Sequence, residues 1–308
     1  MLKKNPLVSI VVVTFNSSKF VLETLESAKK QIYQNVELII TDDCSTDGTI
    51  EICKKWIDEN QNRFINIELI TVEKNTGTAA NANRGLKASS GEWIKFIAGD
   101  DMLMPNFIDE LIRFVQTNNN LPMNFIVHGI VPFRDGEDYK AVFPPEKLMQ
   151  KNAKDQLTHL LKRGNSISGS AFFLKRSTLL ELEGFDERYR LYEDFPLIVK
   201  YTQNNYKLWL FNKPIFRYRI HSTNISFERS FLLKDSYIKF KKEILFPLLL
   251  ERKLYLIYWH RYIQGRQKHR FLSVLLLILS PIGWIDKIYR VFGHYFFYNH
   301  KAEFQKTK

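Results

Sequence analysis

The hydrophobic pattern of the first hundred residues switches repeatedly between two periods. Residues 7–14, LVSIVVVT, are almost continuously apolar and rich in β-branched side chains. That pattern predicts a strand buried on both faces of a parallel sheet. Phe20, Val21, Leu25 and Ala28 then recur at helical spacing. Residues 36–41, VELIIT, read as a second buried strand. A helix follows, with Ser45, Thr46 or Asp47 as its cap and Ile50, Cys53, Trp56 and Ile57 on its inner side. Residues 65–71 and 92–98 give a third and a fourth strand, with a helix over 78–88 between them. The alternation predicts a parallel sheet covered by helices on both faces, joined by right-handed crossovers.

Later segments are less regular. Strands are expected over 125–131, 168–174, 207–211 and 215–220, and helices near 105–117, 153–162 and 193–203. There is no internal repeat and no low-complexity linker. The composition changes after about residue 230, where basic and aromatic helical stretches take over.

Three bulk properties narrow the classes. The 308 residues are 45% hydrophobic, enough for a sizeable core, so disorder is excluded as a default. The net charge is +12, but residues 231–308 hold 15 Lys or Arg against 5 Asp or Glu. A near-neutral body with a basic tail suggests that the tail meets something anionic. Two cysteines, Cys44 and Cys53, are too few for a disulfide framework or a four-cysteine zinc site, and they fit a reducing, cytoplasmic compartment. The apolar run at the N-terminus ends in polar residues and reads as a core strand, not a secretion signal.

Polar clusters stand at three predicted strand ends: TFN (14–16), DDCSTD (42–47) and GDD (99–101). In open α/β sheets ligands bind beyond these carboxyl ends. Two Asp doublets brought into one crevice need a cation or hydrogen-bond donors to offset their repulsion. A hard divalent cation takes oxygen ligands and bridges to phosphates, whereas Asp42 or Asp43 could instead accept from a base or a ribose. Each doublet could also simply cap the next helix.

The segments VSIVVVTFNSSKFVLETLESAKKQ, VELIITDDCSTDGT, NTGTAANANRGLKASSGEWIKFIAGDD and LYEDFPLIVK resemble, in order and spacing, the family 2 glycosyltransferases with the GT-A fold. The likeness covers about residues 6–225 and is to the kind that builds bacterial surface polysaccharides. It implies a GT-A-type, Rossmann-like α/β fold with a mostly parallel sheet covered by helices and a helical C-terminal extension. The implied domains are a catalytic region over 1–228, with a nucleotide-sugar half at about 1–102 and an acceptor half at about 103–228, and a basic, aromatic tail over 229–308. It further implies a nucleoside-diphosphate donor, commonly a UDP-sugar. Thr14, Phe15 and Asn16 would lie by the base, with Phe15 where the family often has Tyr. Asp43 would accept from the base, Asp100 would face the ribose, and Asn83 would stand on the donor side. Asp101, with His221, would hold Mg2+ or Mn2+. Asp194 would deprotonate the acceptor hydroxyl, supported by Glu193.

The chemistry agrees with such a set. Cleaving a sugar from a nucleoside diphosphate leaves charge on phosphate, which a bound divalent cation stabilises as a Lewis acid. The leaving group needs no proton, so one base suffices. An ordinary Asp, with pKa near ~3.9, is a weak base at neutral pH, and an apolar, acid-flanked pocket would raise it. Three departures stand out. Ala98 replaces a frequent Asp, Ala82 replaces a common basic residue with Arg84 as the possible substitute, and Cys44 replaces the usual Gly.

In the tail, residues 271–285, FLSVLLLILSPIGWI, would span roughly 22 Å as a helix, short of the ~30 Å hydrocarbon core. Arg261, Arg266, Lys268, Arg270, Lys287 and Arg290 flank it, with Trp and Tyr close by. This fits a helix lying in the headgroups of an anionic leaflet, peripheral on the inner face of the cell membrane, or a hairpin packed on the body. No motif for nucleic acid accompanies the charge. A membrane setting suggests a glycan or lipid-linked acceptor. The rival readings are a polyprenyl-phosphate sugar transferase and a non-catalytic nucleotide-sugar-binding protein.

Overall fold

The opening β-branched run becomes the spine of the sheet. A computed structural model of the chain describes residues 5–222, 224, 231–255 and 257–258. Strand β1 (Val8–Thr14) buries Val8, Ile10, Val11 and Val12 completely, because parallel neighbours flank it and helices cover both faces. β2 (Val36–Asp42) and β4 (Trp93–Ala98) run parallel to β1 on either side, and β3 (Ile67–Thr71) runs parallel to β2. Helices α1 (Val21–Lys29), α2 (Thr49–Asn60) and α3 (Thr78–Ala88) fill the crossovers. This half matches the sequence expectation. Helix α2 starts later than its expected cap, at Thr49, after Gly48 in a left-handed conformation. Asp47 Oδ1 accepts from the Thr49 N–H at 3.2 Å, so it still satisfies a first-turn donor.

The second half is mixed. Its elements are β5 (Met102–Leu103), α4 (Phe107–Thr117), β6 (Phe125–Arg134), β7 (Glu137–Asp138), α5 (Glu146–Met149), α6 (Ala153–Arg163), β8 (Phe172–Lys175), α7 (Arg176–Glu181), α8 (Asp194–Gln203) and β9 (Leu208–Arg219). The sheet order is β3-β2-β1-β4-β8-β6-β9-β5, with β7 paired to β6. β8 is antiparallel to both β4 and β6, whereas β6 and β9 are parallel. The strand expected over 168–174 begins instead as a 3-10 turn, Gly169–Ala171. The two strands expected over 207–211 and 215–220 are one strand, β9. Its register slips where Pro214 opposes Gly129, leaving Asn212, Lys213 and Ile215 without partners on β6. Pro214 has no N–H for a ladder, so a bulge is where a strand can hold it.

Two compact units divide the chain, Met1–Phe240 and Lys241–Lys308. In the first, α9 (Phe231–Phe240) ends in a fully buried Phe240, its ring 5.3 Å from Phe195 and 5.6 Å from Tyr189. The second begins with a π-helical turn, Lys241–Leu245, and α10 (Phe246–Glu251), with Phe246 5.3 Å from Tyr258. Most of the basic, aromatic tail, including 271–285 and its flanking charges, lies outside the described residues. Among the described residues no helix is long and apolar enough to cross a membrane.

Helix α3 lies close against the sheet because Gly85 has no side chain. A Cβ there would overlap Val11 Cγ1 and come within 3.3 Å of Thr41 Cγ2. Gly85→Ala should therefore cost about 1–3 kcal/mol through overpacking, read as a lower urea midpoint with an unchanged m-value.

Candidate active site

Three strand ends meet at one residue. Thr14, at the end of β1, accepts at its carbonyl from the Asp43 N–H and from Asn81 Nδ2, both at 3.0 Å. The Gly99 N–H donates to the Val13 carbonyl at 3.0 Å, and a Cβ on Gly99 would stand 2.8 Å from Thr14 Cγ2. The 14–16, 42–47 and 99–101 segments therefore share one edge of the sheet, as the parallel topology requires. Phe15 projects from it, 47% exposed. Asn16, at φ 49°, ties the first two loops together, since its N–H donates to Ser45 Oγ (2.7 Å) and its Oδ1 accepts from the Thr46 N–H (2.9 Å).

The adjacent carboxylates Asp42 and Asp43 do different work. Asp42 is fully buried and closes its own turn, accepting from Thr14 Oγ1 (2.8 Å), the Ser45 N–H (2.7 Å) and Ser45 Oγ (2.5 Å). Asp43 reaches across to the N-terminus of α3. It accepts from the Thr76 N–H (2.9 Å), Thr76 Oγ1 (2.6 Å), the Gly77 N–H (2.7 Å) and Arg84 Nη2 (2.7 Å). Burial alone would raise its pKa, but these donors outweigh burial and hold it below the usual range. Arg84 thus supplies the guanidinium, two positions beyond Ala82. Cys44 follows at φ 70°, which explains why glycine is at home there.

Arg219 organises the far side. Its N–H donates to Asp101 Oδ1 (2.9 Å), its Nε to the Asp100 carbonyl (2.6 Å) and its Nη2 to Glu23 (2.9 Å). Its guanidinium lies 4.5 Å from the ring centres of both Phe20 and Phe133. His221, two residues on, meets Asp100 Oδ2 through Nε2 at 2.8 Å and packs on Phe20 at 4.8 Å. Asn224 fixes this corner by accepting from the His221 N–H (2.6 Å) and donating to the Arg219 carbonyl (3.1 Å). His221 therefore faces Asp100, while Asp101 is turned inward. Burial and then Asp100 push the Asp101 carboxyl well above its ordinary value.

These residues suit a divalent cation in part. A carboxylate oxygen and an imidazole nitrogen meet at a partly open corner, beside a second carboxylate whose ionisation a cation would favour. Among the described residues no three His, Cys, Asp or Glu groups converge on one point. Further ligands would have to come from phosphate oxygens and water. Ala98 is exposed at the end of β4, where the frequent Asp is missing.

Asp194 opens α8. Its Oδ2 accepts from Asn165 Nδ2 (2.9 Å) and its Oδ1 from the Phe195 N–H (2.7 Å). Burial pushes it up to about 6 despite those donors, and burial together with Asp194 pushes Glu193 up to about 8. The loop leading to Asp194 is fastened to α3 and the loop before it. Asn83 accepts from the Phe185 N–H (2.9 Å) and donates to the Phe185 carbonyl and Glu187, both at 2.8 Å. Arg190 donates from Nε to the Thr76 carbonyl (3.1 Å) and from Nη2 to Asn75. Asn83 is therefore engaged as a clasp in this structure. Sequence reasoning missed Arg190, Arg219 and Asn165, which lie outside the quoted motifs. Arg219 alone left a trace, as a charge at the end of a predicted strand.

The family model described as "Glycosyl transferase family 2" matches residues 9–179. Glycosyltransferase GlyG of Streptococcus pneumoniae is 28% identical over 227 residues, covering 71% of this chain and 72% of that protein. Staphylococcus aureus TarS 1–349, solved in complex with UDP, superposes with a TM-score of 0.58 at 18% identity, covering 92% of this chain and 87% of that one. A mannosyltransferase from Pyrobaculum calidifontis, solved with GDP-Man and Mn2+, gives 0.52 at 18% identity, covering 72% and 59%. The structural likeness establishes the fold, which is GT-A-type.

Glu193 and Asp194 have folded pKa values above the ordinary carboxylate values, so folding favours their protonated forms. That contribution is complete below about pH 4 and is lost as pH rises through about 6 and about 8. Glu193→Gln should lose less stability than the wild type between pH 5 and pH 9. The difference should be on the order of 2 kcal/mol after allowance for solvent screening, read from urea midpoints at both pH values.

Proposed function

Since the chain belongs to glycosyl transferase family 2, we propose that this glycosyltransferase is inverting and metal-dependent, moving a sugar from a UDP-sugar to a hydroxyl of a glycan or lipid-linked acceptor in surface polysaccharide synthesis. The observation that carries the reading is the clasp between two loops: Arg190 fastens the segment ending at Asp194 to the Asn75–Gly77 loop that cages Asp43. A base with a raised pKa is thereby held next to a nucleotide-sized edge of the sheet. UDP in TarS favours uridine as the base.

In this reading Phe15 offers a ring for the base, and the Asp43 cage orders the loop beside it. Asp100 and His221, with Asp101 behind them, would hold Mg2+ or Mn2+, which when bound stabilises charge on the departing diphosphate. Asp194 accepts the proton of the acceptor hydroxyl as that oxygen bonds to the anomeric carbon. The bond from the anomeric carbon to the diphosphate oxygen breaks with its electron pair, and UDP leaves. At about 6, Asp194 remains ionised at neutral pH yet is a stronger base than an ordinary Asp.

The test is a thermal-shift panel of UDP, GDP and their sugars with and without Mn2+, followed by nucleotide release from UDP-GlcNAc, UDP-glucose, UDP-galactose and GDP-mannose. UDP with Mn2+ should stabilise the chain in proportion to RT ln(1 + [L]/Kd). Asp194→Asn should keep that stabilisation and lower turnover by about 10²–10⁴-fold, and the wild-type rate should fall below about pH 6. Full turnover by Asp194→Asn would favour a phosphate acceptor, and binding without turnover of any donor a non-catalytic role.

We assign the tail over 229–308 to the anionic, inner leaflet of the cell membrane, on its basic and aromatic composition. The full chain should pellet with phosphatidylglycerol vesicles and be released by 1 M salt. Equal partitioning onto neutral vesicles would overturn this assignment.

A further inference from the structure

Lys95 lies in the middle of β4, opposite Ile10 of β1, and is fully buried. A lone charge in a sheet interior needs an account. The β4–β8 ladder runs from Trp93–Lys175 to Ile94–Leu174 and stops, and the β6–β8 ladder ends at Val127–Phe172. Where the strands part, the Lys95 Nζ donates to the carbonyls of Ser170 (2.5 Å) and Phe172 (3.2 Å) and stands 3.4 Å from His128 Nε2. His128 Nδ1 is 2.9 Å from the Gly129 carbonyl, so that nitrogen carries the proton and Nε2 is an acceptor. Three acceptors match the three N–H bonds of an ammonium and not the two of a neutral amine. The rings of Phe216, at 4.3 Å, and Phe107, at 5.1 Å, complete the surroundings of a cation.

The charged or titratable groups that face it are His128 from β6 and Asp101 from the turn between β4 and β5. Burial lowers Lys95 to about 7 and Asp101 opposes that shift, while burial and Lys95 hold His128 well below its ordinary value, hence neutral. An apolar side chain would fill the same space without a charge to desolvate, so stability alone does not explain the lysine.

Of the carbonyls it holds, Ser170's belongs to the turn beneath the base and Phe172's to the first residue of β8, where that turn ends. A Cβ on Gly169 would come 3.1 Å from Asp194 Cβ, so this turn forms a wall for that side chain. Upstream in the same segment, Asn165 donates to Asp194 Oδ2 (2.9 Å), and its own Oδ1 accepts from the Ile167 N–H (3.0 Å). We propose that Lys95 is a positioning residue for sugar transfer: its ammonium pins the Gly169–Ala171 turn, which with Asn165 sets where the Asp194 carboxylate stands. The proposal rests on Asp194 being the base. Lys95 touches no substrate and acts through the turn.

Lys95→Met is the test. Hydrogen exchange of amides 165–172 should speed up at least tenfold, with the β1–β2 amides unchanged. Nucleotide release from the donor that the wild type turns over should lose at least tenfold in kcat with the donor KM within twofold. The acid limb near pH 6 should move, and UDP should still stabilise the protein. In an Asp194→Asn background Lys95→Met should add nothing to the kinetic loss, because both act through one group. Unchanged exchange over 165–172, an unmoved acid limb with full kcat, or an equal kinetic loss in the Asp194→Asn background would each overturn the proposal. Should Lys95→Met fail to fold, Gly169→Ala, which crowds Asp194 by a few tenths of an ångström from the same turn, must give the same drop in kcat and shift in acid limb. A normal profile there overturns it too. The two readings fail separately: full turnover by Asp194→Asn removes the base, whereas exchange still reports whether Lys95 anchors the turn.

Discussion

A carboxylate that is 2% exposed and ionised must be surrounded by donors, and Asp43 is the place where this requirement organises the molecule. Its donors come from Thr76, Gly77 and Arg84, so satisfying one charge fixes the entry to α3 relative to the end of β2. The same loop then accepts from Arg190, which brings the second half of the chain against the first. A Cβ on Gly77 would stand 2.9 Å from the Arg190 carbonyl, so the approach is close enough that only glycine, at φ 97°, fits the turn. The sheet edge at Asp43 and the loop before Asp194 are thus parts of one hydrogen-bonded assembly.

Arg219 answers the same physical demand from the opposite strand. Asp100 and Asp101 are adjacent, and the end of β9 meets both: the Arg219 N–H donates to Asp101 Oδ1 and its Nε to the Asp100 backbone carbonyl. Two aromatic rings flank the guanidinium and keep it oriented. A strand late in the sequence therefore completes a site whose carboxylates come early, and a mixed second half of the sheet is what allows it.

Much of the first half could be read from the chain because local pattern and global burial agree there. β1, β2 and β4 are mostly apolar and buried on both faces, and α3 falls on its predicted span. In the second half the local signal weakened wherever tertiary contacts replaced it. Residues 168–171 look like strand but turn: the Ser168 and Gly169 carbonyls accept from the N–H groups of Ala171 and Phe172, and Lys95 meets the Ser170 carbonyl. Asn212–Pro214 look like a gap between strands, yet pairing resumes beyond the bulge. For the candidate site, motif spacing singled out Asp43, Asp100, Asp101 and Asp194. It could not tell that Asp42 and Asp43 face different partners, that His221 pairs with Asp100 or that Asn83 clasps the Phe185 backbone and the Glu187 carboxylate. Those outcomes depend on side-chain direction across sequence separations that no local pattern encodes.

The slip in β9 has an arithmetic consequence. Phe211 and Phe216 both reach the core opposite His128 and Ile130, two residues of like face on β6. In an unbroken strand an odd separation would send them to opposite faces, so the unpaired Asn212, Lys213 and Ile215 act as a parity correction. Everything downstream, including the inward aim of Arg219, inherits that parity. Losing or gaining a single residue at Asn212–Ile215 would turn the guanidinium outward, whereas a change by two would leave it facing the carboxylates. The two-residue pleat beyond the bulge thus makes the far end of the strand tolerant of even changes in length and intolerant of odd ones.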